Sequence, residues 1–191
     1  MKVEFSDALK SLESKIFPQF ALLVLLGSIL TSCAKPSGMI WPSDKIGKMR
    51  VNRYGHTNAN VIWDYCNNAM TAEPGIQTTE CKVPLVSELF IGLGVAGADK
   101  LQRDALWAAR TWELYIDGYA VDLKAFNIAD FDAGQGGKTT KNRVWRIRLR
   151  DLTEGKHTLH YVMHVNQPVE NDLSSSIPGT YELVVNFTVE K

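Results

Sequence analysis

Three stretches in the C-terminal half of the chain alternate apolar and polar residues with a period of two. Arg143-Val144-Trp145-Arg146-Ile147-Arg148-Leu149-Arg150 sets Trp145, Ile147 and Leu149 against Arg146, Arg148 and Arg150. His157 to Val165 places Leu159, Tyr161, Met163 and Val165 on one side. Thr180 to Glu190 does the same with Tyr181, Leu183, Val185, Phe187 and Val189. Successive side chains of a strand point to opposite faces, whereas a helix repeats every 3.6 residues, so these stretches are strands with one buried face. A slip of one residue would turn every apolar side chain toward water. The chain is therefore committed to sheets that cover one another.

Weaker signals fill in the rest. Odd positions from Val83 to Val95 are mostly apolar, and Gly92 and Gly94 mark a bulge or a close approach of backbones. Asp99, with Gln102 three residues on, has the spacing of a capping box and predicts a short helix to about Ala109. Trp112, Leu114 and Ile116 alternate up to Asp117-Gly118, a two-residue hairpin signal, with a return strand from Tyr119 to about Phe126. Arg50–Tyr54 and Val61–Tyr65 are weaker strand candidates, and Asn166 to Gly179 reads as a polar loop. The pattern predicts a mostly β domain over residues 45–191, an antiparallel β-sandwich with one short helix. The Ile116-Asp117-Gly118-Tyr119-Ala120-Val121 hairpin, Leu152 to Leu159 and Gly179 to Leu183 together resemble the immunoglobulin-like modules of bacterial surface proteins. That resemblance implies an immunoglobulin-like fold and no particular activity.

The N-terminus has a different character. Phe20 to Leu30 is an apolar run of eleven residues. A bilayer-spanning helix needs roughly 20, and a shorter run near the start reads as the core of a helical signal peptide, residues 1–32. Leu30-Thr31-Ser32-Cys33 follows directly and resembles the lipobox of bacterial lipoproteins. The resemblance implies cleavage before Cys33, diacylglycerol on its thiol, and a palmitate-type anchor. The rest of the chain would then lie outside the cytoplasm on the cell membrane or outer membrane, and Ala34 after the cysteine favours the outer membrane. Residues 33–44, with Pro36, Gly38, Pro42 and Ser43, read as the lipidated cysteine and a tether.

Two further cysteines remain, Cys66 and Cys81. In an oxidising space an even remainder predicts a disulfide. The stretch between them is polar and carries Pro74-Gly75, so it reads as a loop. A metal pair is the competing reading, but it requires more ligands at short spacing than isolated His56 provides.

Charge and motifs exclude more than they assign. Lys plus Arg equals Asp plus Glu at 21 each. Three of each precede Cys33, leaving 18 against 18 in the exported part. That neutrality argues against nucleic acid as a partner. Gly134-Gln135-Gly136-Gly137-Lys138-Thr139 lacks the first glycine of a phosphate loop, since Asp132 stands there. Asp130 and Asp132 suggest a calcium loop, but Lys141 occupies the position where a glutamate should close it. His160 and His164 share a metal-binding spacing only on a helix. On a strand they stand about 13 Å apart. Arg146, Arg148 and Arg150, on one strand face, could meet an anionic surface. Trp112 and Trp145 read as core, whereas Trp41 and Trp63 are candidate platforms for sugars or peptides. These features predict a non-enzymatic binding module without cofactor or metal, acting on an envelope protein or glycan. The alternatives are a carbohydrate-binding lipoprotein and, further off, an envelope hydrolase.

Overall fold

The computed structural model describes residues 38–54, 60–66, 73–135, 138–170 and 175–191. The signal-peptide motif and Cys33 lie outside the described residues. One sheet is built from β1 (Lys45–Ile46), β2 (Met49–Arg53), β3 (Asn60–Val61), β5 (Glu88–Gly97), β8 (Ile128–Gln135) and β9 (Lys138–Arg150). The other contains β4 (Gly75–Pro84), β6 (Arg110–Ile116), β7 (Tyr119–Ala120), β10 (Gly155–Val165) and β13 (Gly179–Glu190). A two-stranded ribbon, β11 (Val169–Glu170) with β12 (Ser175–Ser176), lies within the stretch expected to be a loop. The inner faces form one continuous core. Met49, Val51, Leu89, Ile91, Ile147 and Leu149 from the first sheet meet Leu114, Ile116, Leu159, Tyr161, Val185 and Phe187 from the second. The alternation thus places the expected residues inside a mostly β, sandwich-like domain.

Both sheets are mixed rather than purely antiparallel. β3 runs parallel to β5, and β4 runs parallel to β13. β4 corrects the reading of the Cys66–Cys81 stretch as a loop throughout. It lies at the sheet edge, and its first eight residues are exposed or half-buried, so little hydrophobic alternation marks it. The stretch around Asp130 and Asp132 that suggests a calcium loop is β8. It is a strand, antiparallel to β9, from Ile128↔Trp145 to Gln135↔Lys138. The return strand after Asp117-Gly118 is shorter than expected. β7 has two residues before the chain turns through a 3-10 segment, Leu123–Ala125.

Helix α1 (Lys100–Ala108) starts as its sequence dictates. The Gln102 amide donates to Asp99 Oδ1 at 2.8 Å, and Gln102 Oε1 accepts from the Ala98 amide at 2.6 Å. The register of β5 with β9 is unbroken from Glu88↔Arg150 to Gly97↔Lys141, so Gly94 marks a close approach and not a bulge. A Cβ there would run into the Arg143 carbonyl.

The sandwich is stitched along both open sides. On one, Cys66, which follows the 3-10 turn Ile62–Asp64 after β3, is bonded to Cys81 of β4, with Cα atoms 5.3 Å apart. On the other, residues 38–44 join the two sheets. The Ile40 amide donates to the Ala120 carbonyl at 2.7 Å, and the Ser43 amide donates to the Val51 carbonyl at 2.7 Å. Ile40 is buried, so packing begins inside the stretch read as a tether.

A buried histidine fixes the connection from β9 to β10. His157 Nδ1 lies 2.8 Å from Asp117 Oδ2, and Nε2 lies 2.9 Å from the Thr153 carbonyl. Asp117 also accepts from the Thr158 amide at 2.8 Å and occupies the left-handed region at φ 49°. The Asp117 carboxylate, aided by the Thr153 carbonyl, raises the His157 pKa, and burial opposes this only in part.

Two predictions follow from these ties. Replacing both Cys66 and Cys81 by alanine is expected to cost about 3 kcal/mol in denaturant unfolding, the chain-entropy value for a closed loop of this size. An unchanged midpoint would mean that the bond does not constrain the unfolded chain. For His157 the folded pKa lies above the unfolded value of about 6.5. Its contribution is therefore complete below that value and is lost as pH rises through the folded pKa. Asp117→Asn, which keeps an acceptor for Thr158, should flatten that decline. A pH profile identical to wild type would contradict it.

Candidate functional site

The stitch at residues 38–44 forms one wall of a cleft. The Trp41 amide donates to Asp44 Oδ2 at 2.7 Å, and the Asp44 amide donates back to the Trp41 carbonyl at 3.0 Å. This tight turn, with Ser43 at φ 79°, sets Trp41, Pro42 and Ser43 beside the outer edge of β2. The opposite wall is the 3-10 turn, where Asp122 Oδ1 accepts from the Lys124 amide at 3.1 Å. Asn52, Arg53 and Arg148 complete a cleft of about 640 Å³.

Its chemistry is uneven. The lining holds Arg53, Lys124 and Arg148 with one carboxylate, Asp122, while Glu88 outside it pairs with Arg148, so positive charge remains in excess. Arg53 is pinned across the cleft, with Nε and Nη2 donating to the Ala125 carbonyl at 3.0 and 2.8 Å. Arg148 is held from the other side by Glu88, 3.3 Å from Nη1. Trp41 is half-buried and its Nε1 is turned away from solvent, so it offers a ligand chiefly carbon surface. The lining holds no histidine or cysteine and only one acid. This set can bind a ligand and orient it.

Each residue singled out from the sequence now has a place. Arg146, Arg148 and Arg150 do face outward together on β9, opposite Ile147 and Leu149. They are not three independent cations. Glu88 on the neighbouring strand pairs with both Arg148 and Arg150, the latter at 3.2 Å. Arg146 instead lies over the Tyr54 ring, 4.6 Å from its centroid, and 5.8 Å from that of Phe131. Of the tryptophans, Trp112 and Trp145 pack against the core, as does Trp63, whose ring centroid is 5.3 Å from that of Tyr161. Trp63 is therefore a packing residue and no platform.

The other motifs resolve into internal contacts. Asp130 accepts two bonds from Arg143, both at 2.8 Å, and pairs with Arg103 at 3.0 Å. The Arg143 donors hold its carboxyl below the usual range. Asp132 pairs with Lys141. The acids that suggested a calcium loop are thus engaged by cations on a strand. His160 pairs with Glu182 at 2.7 Å and His164 with Glu113 at 3.3 Å, both on β10. Among the described residues no group of three or more potential ligands is placed to hold a metal ion. Gly134 and Lys138 belong to paired strands, and the described residues that follow continue as β9.

Asn52, Arg53, Asp122 and Lys124 carried no signal as site residues. Asp122 could have been found as a turn former, since an aspartate that caps its second neighbour's amide favours a turn over a strand.

No family model matches the chain, and no curated protein matches it. Among solved structures, one similar chain is described as PbICP-C in complex with falcipain-2. It is 13% identical, and the alignment covers 64% of this chain and 95% of that one with a TM-score of 0.33. That likeness is too slight to carry an argument about function.

Reversing charge at Arg146 and Arg148 together is expected to lower stability by about 1 kcal/mol, because Arg148→Glu sets a second carboxylate beside Glu88. Adsorption to anionic surfaces should weaken, and wild-type adsorption should itself fall as salt rises. A stability loss of several kcal/mol in urea unfolding would mean that these arginines hold the fold together.

Proposed function

We propose that the chain is a lipid-anchored, extracytoplasmic envelope protein whose β-sandwich is a non-enzymatic binding module with its site at the Trp41 cleft. The observation that carries the binding role is the cleft itself. Two features singled out separately in the sequence, Trp41 and Arg148, line it together with charged groups from two further elements. The lipobox-like Leu30-Thr31-Ser32-Cys33 supports the anchor. The Cys66–Cys81 bond supports an oxidising compartment.

The strand order supports the finer, immunoglobulin-like reading. β5, β8 and β9 share one sheet, while β6, β10 and β13 share the other. Among the described strands of the two sheets the chain changes sheets between β3 and β4, β4 and β5, β5 and β6, β7 and β8, and β9 and β10. Immunoglobulin-type sandwiches likewise pass the chain repeatedly between two packed sheets, although here β3 and β4 add parallel edges. Connections that pass over the open ends of such a sandwich commonly carry binding sites.

Metabolic labelling with a fatty-acid analogue tests the anchor. Wild type should incorporate the label, and Cys33→Ala should remain as unlabelled precursor. Equal labelling of the two would remove Cys33 from the account.

A further inference from the structure

We propose that the Trp41 cleft binds an anionic saccharide, meaning a sugar ring that carries a carboxylate or a phosphate. This rests on the binding-module reading and names the ligand class of the same site. Two halves of the lining make complementary demands. The carbon surface of Trp41 suits a flat apolar face, which a sugar ring presents through its C–H bonds. Arg53, Lys124 and Arg148 demand a negative charge, and a guanidinium fork matches a carboxylate or phosphate. Arg148 is already paired with Glu88, so a neutral sugar would leave Arg53 and Lys124 with Asp122 as the one acid in the lining, and a bare anion would leave the indole unused. Asn52 and Asp122 add an amide and an acceptor for hydroxyl groups.

Order before binding strengthens the case. The Ala125 carbonyl fixes Arg53 and Glu88 restrains Arg148, so both side chains have already lost rotamer freedom. Less entropy is then lost when the ligand arrives. The volume of about 640 Å³ lies within the range of small-molecule sites. The sugar could belong to a free acidic glycan or to a membrane lipid headgroup. The seven residue-to-residue steps from Cys33 to Ile40 reach at most about 23 Å, so an anchored domain keeps its cleft near the headgroups.

Calorimetric titration of the full chain with tri-galacturonic acid, glucose 1-phosphate, inorganic phosphate and maltotriose tests this. At least one charged saccharide should bind about tenfold more tightly than both maltotriose and inorganic phosphate. Arg53→Gln with Arg148→Gln should abolish that preference. Trp41→Ala should weaken charged-sugar binding about tenfold with the melting temperature kept, and Trp41→Phe should restore most of it. Sedimentation with phosphatidylcholine vesicles, with and without lipid A, whose headgroup is a phosphorylated disaccharide, separates the sources. A gain with lipid A that needs Arg148 assigns the headgroup, and no gain alongside tri-galacturonate binding assigns the free glycan. Equal affinity for maltotriose, equal affinity for inorganic phosphate, or wild-type binding by a folded Trp41→Ala chain would each overturn the proposal. If no saccharide binds, yet isolated envelopes retain the chain through Trp41, the binding module stands and the sugar class falls.

Discussion

The apolar faces of two sheets are buried against each other, and every other feature of the domain is arranged around that layer. Leu89, Ile91, Ile147, Leu149, Tyr161 and Phe187 are almost wholly excluded from water. The leucine, isoleucine and phenylalanine side chains among them each contribute about 1.5–3 kcal/mol relative to exposure. The period of two makes this commitment rigid. Once Ile147 and Leu149 point inward, Arg146, Arg148 and Arg150 must point outward, whatever their role. Recognition is left to the outer faces and to the sides where the sheets end.

Those sides are where a sandwich is most exposed, because unpaired edge backbone invites other strands. Here each is closed by a different device. A disulfide joins the segment after β3 to β4, and residues 38–44 bridge Ala120 of one sheet to Val51 of the other. The cleft is a consequence of the second device. Chain that closes the side also turns tightly at Trp41–Asp44 and sets an indole against Asn52, Arg53 and Arg148.

Strands with one wholly buried face were legible in the sequence because burial and alternation are the same fact. β4 and β8 were not, for physical reasons. β4 is an edge strand exposed along most of its length, so Gln77, Thr79 and Cys81 carry little hydrophobic contrast. In β8 the face shared with Trp145 carries Asp130 and Asp132, which answer Arg143 and Lys141 across the hairpin. The site was half legible. Trp41 and Arg148 stood out by residue type, but their meeting depends on a turn whose proline and serine read as linker punctuation. The pairing of Glu88 with Arg148 and Arg150 needs the β5–β9 register, and that of His157 with Asp117 spans 40 residues. Neither leaves a local trace.

The account depends on residues 38–44 belonging to the fold, since without them there is no cleft wall. Amide hydrogen exchange of the full chain reads this directly. The Ile40 and Ser43 amides, bonded to Ala120 and Val51, should exchange slowly, with protection approaching that of β10 amides such as Tyr161. Exchange of Ile40 and Ser43 at the rate of an unstructured chain, with Tyr161 still protected, would return the segment to a tether and contradict the site.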